Sequence, residues 1–196
     1  ELLPDAGSLR TRAKITNISA TAGMIIESFE VECAILDELV FDMKTVFGFF
    51  PEDAFEDQIG LPVPEHEQGV LEEPSDLSID LVPLPAEYFA GSARLPKPFI
   101  RMIDRITGIW PEGGVAGLGR YRADKDVSAD EWFFKAHFFQ DPVQPGSLGI
   151  EAMIQLLQLA LLHRGLGRQG AHFEPIAIGT PLTWKYRWQV VPTSRI

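Results

Sequence analysis

Apolar positions partly alternate along residues 9–50. RAKITNISA, MIIESFEVECAIL and LVFDMKTVFGFF are rich in Ile, Val, Phe and Thr, a pattern that predicts strands. Breaks at Ala22-Gly23 and Asp37-Glu38 predict antiparallel hairpins or a meander. PEDAFEDQIG then reads as one short helix or turn, with Pro51 and acids near its start. Periodicity fades over residues 61–96, where Pro62, Pro64, Pro74, Pro83, Pro85 and Pro96 stand among many acids. That stretch predicts a surface linker, with Leu77, Ile79 and Leu81 available to pin an edge strand.

Regular patterning returns at Phe99. FIRMIDRITGIW predicts a strand or the approach to a helix, GGVAGLGRYRA a Gly-rich strand, and WFFKAHFFQDPVQPG an aromatic segment ending in a turn. SLGIEAMIQLLQLALLHRGLG is the strongest helical stretch. It is apolar through Leu148, Ile150, Met153, Ile154, Leu156, Leu157, Leu159 and Leu161, and so is expected to be buried nearly all round. Ser147 is placed to cap it, and Gly165 and Gly167 to end it. PIAIGTPLTWKYRWQVVPTSRI predicts a strand pair. A central apolar helix with antiparallel strands before and after it implies an α+β layer fold, the sheet wrapped around the helix. Three zones result: a strand-rich part over residues 1–62, a Pro- and acid-rich linker over 63–94, and a motif-bearing unit over 95–196. GGVAGLG lacks both the GxGxxG spacing and a GK[ST] ending, so it is no nucleotide loop.

Composition narrows the function classes. A chain of 196 residues with 45% hydrophobic content and 13 Phe has the material for a packed core or an apolar pocket. Its formal net charge of −11 lacks the basic footprint of a nucleic-acid binder or of a surface drawn to anionic lipid. Cys33 is the only cysteine and reads as a buried strand residue; it supports neither an internal disulfide nor a zinc site. No apolar run is expected to span a membrane, and ELLPDAGSLR lacks the regions of a signal peptide, so a cytoplasmic protein is expected.

The chemistry-bearing stretch is WFFKAHFFQDPVQPGSLGIEAMIQ. His137 lies among Phe133, Phe134, Phe138 and Phe139. Partial desolvation favours a neutral imidazole, which is a usable base. Glu151 falls in the first turns of the apolar helix, where a carboxyl is costly unless paired or protonated, and the protonated form can act as an acid. Gly146 and Ser147 stand at the helix start, whose free N–H groups and positive dipole end can polarise a thioester carbonyl. Base, acid and carbonyl polariser are what an α,β-elimination needs. Taken singly, His137 also fits a satisfied core histidine, and Glu151 a residue serving the helix dipole. His163 and His172 are expected to be exposed, His66 has no assigned role, and Asp141 is expected to brace the Pro142–Gly146 turn.

HFFQDPVQPGSLGIEAMIQ closely resembles the active-site stretch of FabA-type 3-hydroxyacyl-[acyl carrier protein] dehydratases, with their HFxxDPVxPGxLGxDAMxQ pattern. PFIRMIDRITGI, WFF and IGTPLTWKYRWQVVPT extend the resemblance over roughly residues 95–196. FFQDPVQPGSLG looks most like the dehydratase domains of polyunsaturated fatty acid synthases and polyketide-like megasynthases. The resemblance implies a hot-dog fold, in a double hot-dog arrangement where base and acid come from two units side by side. By position it implies His137 as the catalytic base and Glu151 as the catalytic carboxylate. Gly146 would be the helix-start N–H that binds the thioester carbonyl, and Val143 the residue whose carbonyl orients the His. Phe138 and Ser147 would line the substrate. It implies no metal and no redox cofactor, because the acyl chain arrives on the phosphopantetheine of an acyl carrier protein. Other hot-dog units or synthase domains are the implied neighbours, in a homodimer or pseudodimer.

The FabA-type acid is Asp, whereas Glu151 matches the FabZ-type enzymes. That preserves dehydration and weakens the case for added double-bond isomerisation, since one extra methylene displaces the carboxyl. Residues 9–50 resemble the closing strands of a first unit, or else complete the sheet of the later one. Arg164, Arg168, Lys185 and Arg187 offer either a basic face for an acidic carrier or a solvated surface. Two rival functions remain open at this point: a dehydratase that also isomerises, and a noncatalytic hot-dog module that shapes a megasynthase. A thioesterase is disfavoured by the DPVxPG turn.

Overall fold

Three long strands open the chain: β1 (Leu9–Thr21), β2 (Met24–Ile35) and β3 (Glu38–Phe49), paired antiparallel in that order. In the computed structural model, residues 5–55, 62, 64–138, 140–167, 170–174, 180–184 and 188–194 are described. Two-residue loops join the strands, with φ of 50° and 80° at Ala22 and Gly23, and of 50° and 69° at Leu36 and Asp37. Two successive left-handed residues give the loop twist that suits a tight hairpin. The second loop therefore sits one residue earlier than the pattern suggests. Register places Ala13, Val31 and Met43 on one face, and Lys14, Glu30 and Lys44 on the other. The second face carries an ion-pair ladder, Lys44 Nζ to Glu30 Oε1 at 3.2 Å and Lys14 Nζ to Glu30 Oε2 at 4.0 Å, exposed enough to add little stability. Cys33 is a half-buried residue of β2, with Thr11 Oγ1 at 3.5 Å. After a 3₁₀ turn at Glu52–Phe55, PEDAFEDQIG passes outside the described residues.

The chain divides into two compact units, Glu1–Ile59 and Gly60–Ile196. In the second, β4 (Ile79–Asp80) is the edge strand of a sheet ordered β4-β5-β6. A short helix α1 (Ala86–Phe89) follows β4, and β5 (Arg105–Trp110) and β6 (Arg120–Asp124) complete the antiparallel sheet. Next come α2 (Phe133–Ala136) and the long α3 (Gly146–His163). The core joins Leu81, Tyr88, Leu95, Ile103, Ile106 and Leu159, so β4, α1, β5 and α3 share one apolar centre. A second cluster, Met102, Phe133, Phe134 and Leu148, ties α2 to the start of α3, and Ala152 touches both clusters.

Several expectations change. The Pro- and acid-rich stretch over 63–94 is more than a surface linker: Leu81, Tyr88 and Ala93 from it are buried, and the edge strand anticipated at Leu77, Ile79 and Leu81 forms. Its prolines hid this, because non-local burial decides the fate of a segment without clear periodicity. GGVAGLG is a loop, and the strand begins at Arg120; Gly114, Gly117 and Gly119 hold φ of 81°, 64° and 105°, far from extended strand geometry. α3 is not buried all round. Leu148, Gln155 and Leu159 are buried, while Met153 and Leu157 are 57% and 61% exposed. Nor does Ser147 cap it: Pro145 holds the N-cap position and Ser147 lies inside the first turn. Gly165, with φ 74°, does end it, its N–H reaching Leu162 O while Leu166 N–H reaches Leu161 O. With 18 residues at mean hydropathy 1.2, α3 is long and apolar enough to cross a bilayer by length and composition, contrary to expectation. Gln155 and Leu159 are fully buried against protein, while most of the span is not. Of the expected final strand pair, residues 175–179, 185–187 and 195–196 lie outside the described residues, and residues 180–184 and 188–194 join no ladder.

Candidate active site

α2 is a single helical turn because aromatic burial, rather than length, stabilises it. Phe133 at 0% and Phe134 at 7% exposure anchor the turn, and His137 N–H donates to Phe133 O at 2.9 Å. His137 is thereby presented at the end of α2, half-buried. Its Nδ1 lies 2.9 Å from Val143 O. A carbonyl oxygen only accepts, so Nδ1 carries a proton, and the neutral form of the ring with this contact has its lone pair on Nε2. Val143 is itself held, its N–H donating to Asp141 O at 2.9 Å, while Gln144 N–H donates to Val190 O at 2.9 Å. Asp141 thus braces the turn through its backbone carbonyl. Gln140, with φ 59°, bends the chain tightly between the bridged Phe138 and Asp141. Phe138 stacks at 3.9 Å on His137 and stays 42% exposed. Phe139 lies outside the described residues.

Gly146 and Ser147 occupy the first two positions of α3, where N–H groups have no intrahelical acceptor. Glu151, in the next turn, is half-buried and accepts a hydrogen bond from Gln155 Nε2 at 2.7 Å. Gln155 is fully enclosed; its Oε1 accepts from Met102 N–H at 2.7 Å and its Nε2 also donates to Ile100 O at 2.8 Å. The amide therefore bolts the Glu151 carboxyl to segment 100–102. Glu151 also faces a cavity of about 320 Å³ lined by Ser92, Arg94, Lys97, Gln158 and His172 among others.

Among the described residues, no hydrogen bond joins His137 to Glu151, and His137 is not part of the wall of that cavity. The structure thus brings His137, Val143 and Phe138 together at one point, and Glu151 and Gln155 at another, both near the start of α3. Gln155 was passed over in the sequence, although an amide one turn after an acid on an otherwise apolar helix face is a visible signal. His163 and His172 are exposed, as expected. Of the proposed basic face, Arg168, Lys185 and Arg187 lie outside the described residues, and Arg164 donates to Leu118 O.

The family model of the FabA-like domain matches residues 95–196, just over half of the chain. The chain belongs to the FabA-like domain family. Its matched part runs from Leu95 through β5, β6, α2 and α3, and contains His137, Val143, Gly146, Glu151 and Gln155. A FabA-like domain implies the hot-dog fold, and the α+β arrangement of antiparallel strands with one long helix is consistent with it. Membership supports a 3-hydroxyacyl-[acyl carrier protein] dehydratase type of function. β4, Leu81 and Tyr88 precede the FabA-like match and still pack into the same core, so the folded unit begins upstream of it.

Proposed function

We propose that this FabA-like domain dehydrates 3-hydroxyacyl thioesters, carried on the phosphopantetheine of an acyl carrier protein, to trans-2-enoyl thioesters. The observation that carries this reading is the His137 Nδ1–Val143 O contact of 2.9 Å, which leaves Nε2 as the basic nitrogen. Nε2 takes the C2 proton while the C3–O bond breaks. Glu151 gives its proton to the departing hydroxyl, so water leaves and a C2=C3 double bond forms. The Gly146 N–H, at the positive end of α3, steadies the negative charge that develops on the thioester oxygen. Gln155 holds the Glu151 carboxyl in place, as its three hydrogen bonds suggest.

Among the described residues His137 and Glu151 share no hydrogen bond, and His137 does not line the cavity that Glu151 faces. We therefore assign the acid facing His137 to a second hot-dog unit, in a homodimer or pseudodimer of the double hot-dog type. The partner of the chemistry is an acyl carrier domain, in a cytoplasmic synthase of the polyunsaturated fatty acid or polyketide-like kind. No metal or redox cofactor enters the scheme.

The test is turnover of a 3-hydroxyacyl-carrier substrate by the full chain beside His137→Ala and Glu151→Gln. Each substitution should lower kcat by about 100-fold or more, the usual worth of a positioned acid or base. No turnover by the wild-type chain, with the parent assembly's products unchanged by His137→Ala, would leave only a noncatalytic acyl-binding module, and unchanged turnover in His137→Ala would refute His137 as the base. Product analysis reads isomerisation in the same experiment, since a cis-3 product signals it.

A further inference from the structure

We propose that a buried ion cluster, Asp104–Lys125–Glu131, is a positioning device for His137, and that segment 100–104 serves as the common anchor of base and acid. This rests on the dehydratase reading of His137 and Glu151. Lys125 follows β6 and its side chain is 9% exposed, so its ammonium needs close anionic partners. It has two: Glu131 Oε1 at 2.7 Å and Asp104 Oδ2 at 3.6 Å.

Asp104 is fixed on every side. Its Oδ1 accepts from Arg101 Nη2 at 3.1 Å and its Oδ2 from Asp126 N–H at 3.0 Å. Its own N–H donates to Asp124 O at 2.8 Å, and its carbonyl accepts from Leu81 N–H at 2.8 Å. These hydrogen bonds tie it to the sheet side of the unit.

Glu131 is the end nearest α2. It stands two residues before α2, and its carbonyl accepts from Phe134 N–H at 3.2 Å, the first turn towards His137. From there Phe133 O takes the His137 N–H, and the imidazole reaches Val143 O. A four-residue helix has little rigidity of its own. The charge pair at its start and the Val143 carbonyl at its end hold it at two points.

The acid side uses the same anchor. Gln155 accepts from Met102 N–H and donates to Ile100 O, and passes that position to Glu151. Two residues further along the chain, Asp104 passes its position through Lys125 and Glu131 to His137. A five-residue stretch that touches neither carboxyl nor imidazole directly thus orients both.

The full chain is tested as wild type, Glu131→Leu and Glu131→Gln, with kcat and KM for a 3-hydroxyacyl-carrier substrate. A long-range ¹⁵N–¹H spectrum reports the ring tautomer of labelled His137. Glu131→Leu should lower kcat about tenfold or more, as small misplacements of a reacting group do. KM should stay within about twofold, because binding is untouched. The Nδ1–H form of His137 should give way to a tautomer mixture. Glu131→Gln keeps an acceptor for Lys125 and should restore most of both readouts. A melting temperature that falls while kcat and the ring spectrum stay at wild type overturns the proposal, as does a lower kcat with an unchanged ring spectrum. If Glu131→Leu does not fold, Glu131→Ala takes its place under the same criteria: a ring spectrum shifted towards the mixture supports the coupling and a wild-type ring spectrum refutes it. The ring readout needs no turnover. A wild type that never dehydrates would end the dehydratase reading, while the spectrum still judges the coupling.

Discussion

Replacing Gln155 by Glu probes the bolt that holds the candidate acid. The new carboxyl keeps an acceptor for Met102 N–H but loses the donor that serves Ile100 O and Glu151 Oε1, at 2.8 and 2.7 Å. Near pH 8 the fully buried site would lose two hydrogen bonds and hold a newly introduced carboxylate with too few donors. Together these cost about 4 kcal/mol. Near pH 5 the new carboxyl can keep its proton and donate it to Glu151, so the deficit should shrink to about 1 kcal/mol. The sign follows from linkage: burial raises the proton affinity of the introduced carboxyl in the folded state. Stability is therefore greatest at low pH and is lost as pH rises through the folded-state value. All four tryptophans, Trp110, Trp132, Trp184 and Trp188, lie in the second unit, so a tryptophan-fluorescence melt reads that unit alone. A deficit of this size corresponds to roughly 10 °C in Tm near pH 8, and several-fold less near pH 5. Equal deficits at the two pH values, or none at the higher, would show that Gln155 does not carry the Glu151 carboxyl.

The Tyr88 phenol is held above its ordinary 10.0, first by burial and then by the charge of Glu87. Its contribution is complete at neutral pH and is lost as pH climbs through the raised value, so Tyr88→Phe should flatten the alkaline fall of Tm, with phenolate absorbance following the same titration. Leu36 is 93% exposed at φ 50°, a left-handed position that costs a leucine about 1 kcal/mol. Leu36→Asn should recover most of that as slower amide exchange in β2 and β3, and no change would contradict the turn geometry. Gly165→Ala at φ 74° should cost about 1 kcal/mol in the fluorescence melt, since an added Cβ strains the turn that ends α3.

Local patterning was enough to reveal the hairpin strands, because side-chain alternation and turn residues act within a few positions of one another. It was enough for α3 as well, whose apolar run and flanking Pro145 and Gly165 bound it, and for the spacing of His137 and Glu151, whereas Val143 entered through the family resemblance. Only tertiary structure decided that Leu81 and Tyr88, hidden in a proline-rich stretch, belong to the core. It alone showed that Met153 and Leu157 face away from that core, that Gln155 links Glu151 to segment 100–102, and that Lys125 links Glu131 to Asp104. The physical reason is range. Periodicity reports the two faces of an element, whereas burial and ion pairing depend on partners tens of residues away, and no local pattern encodes which partner arrives.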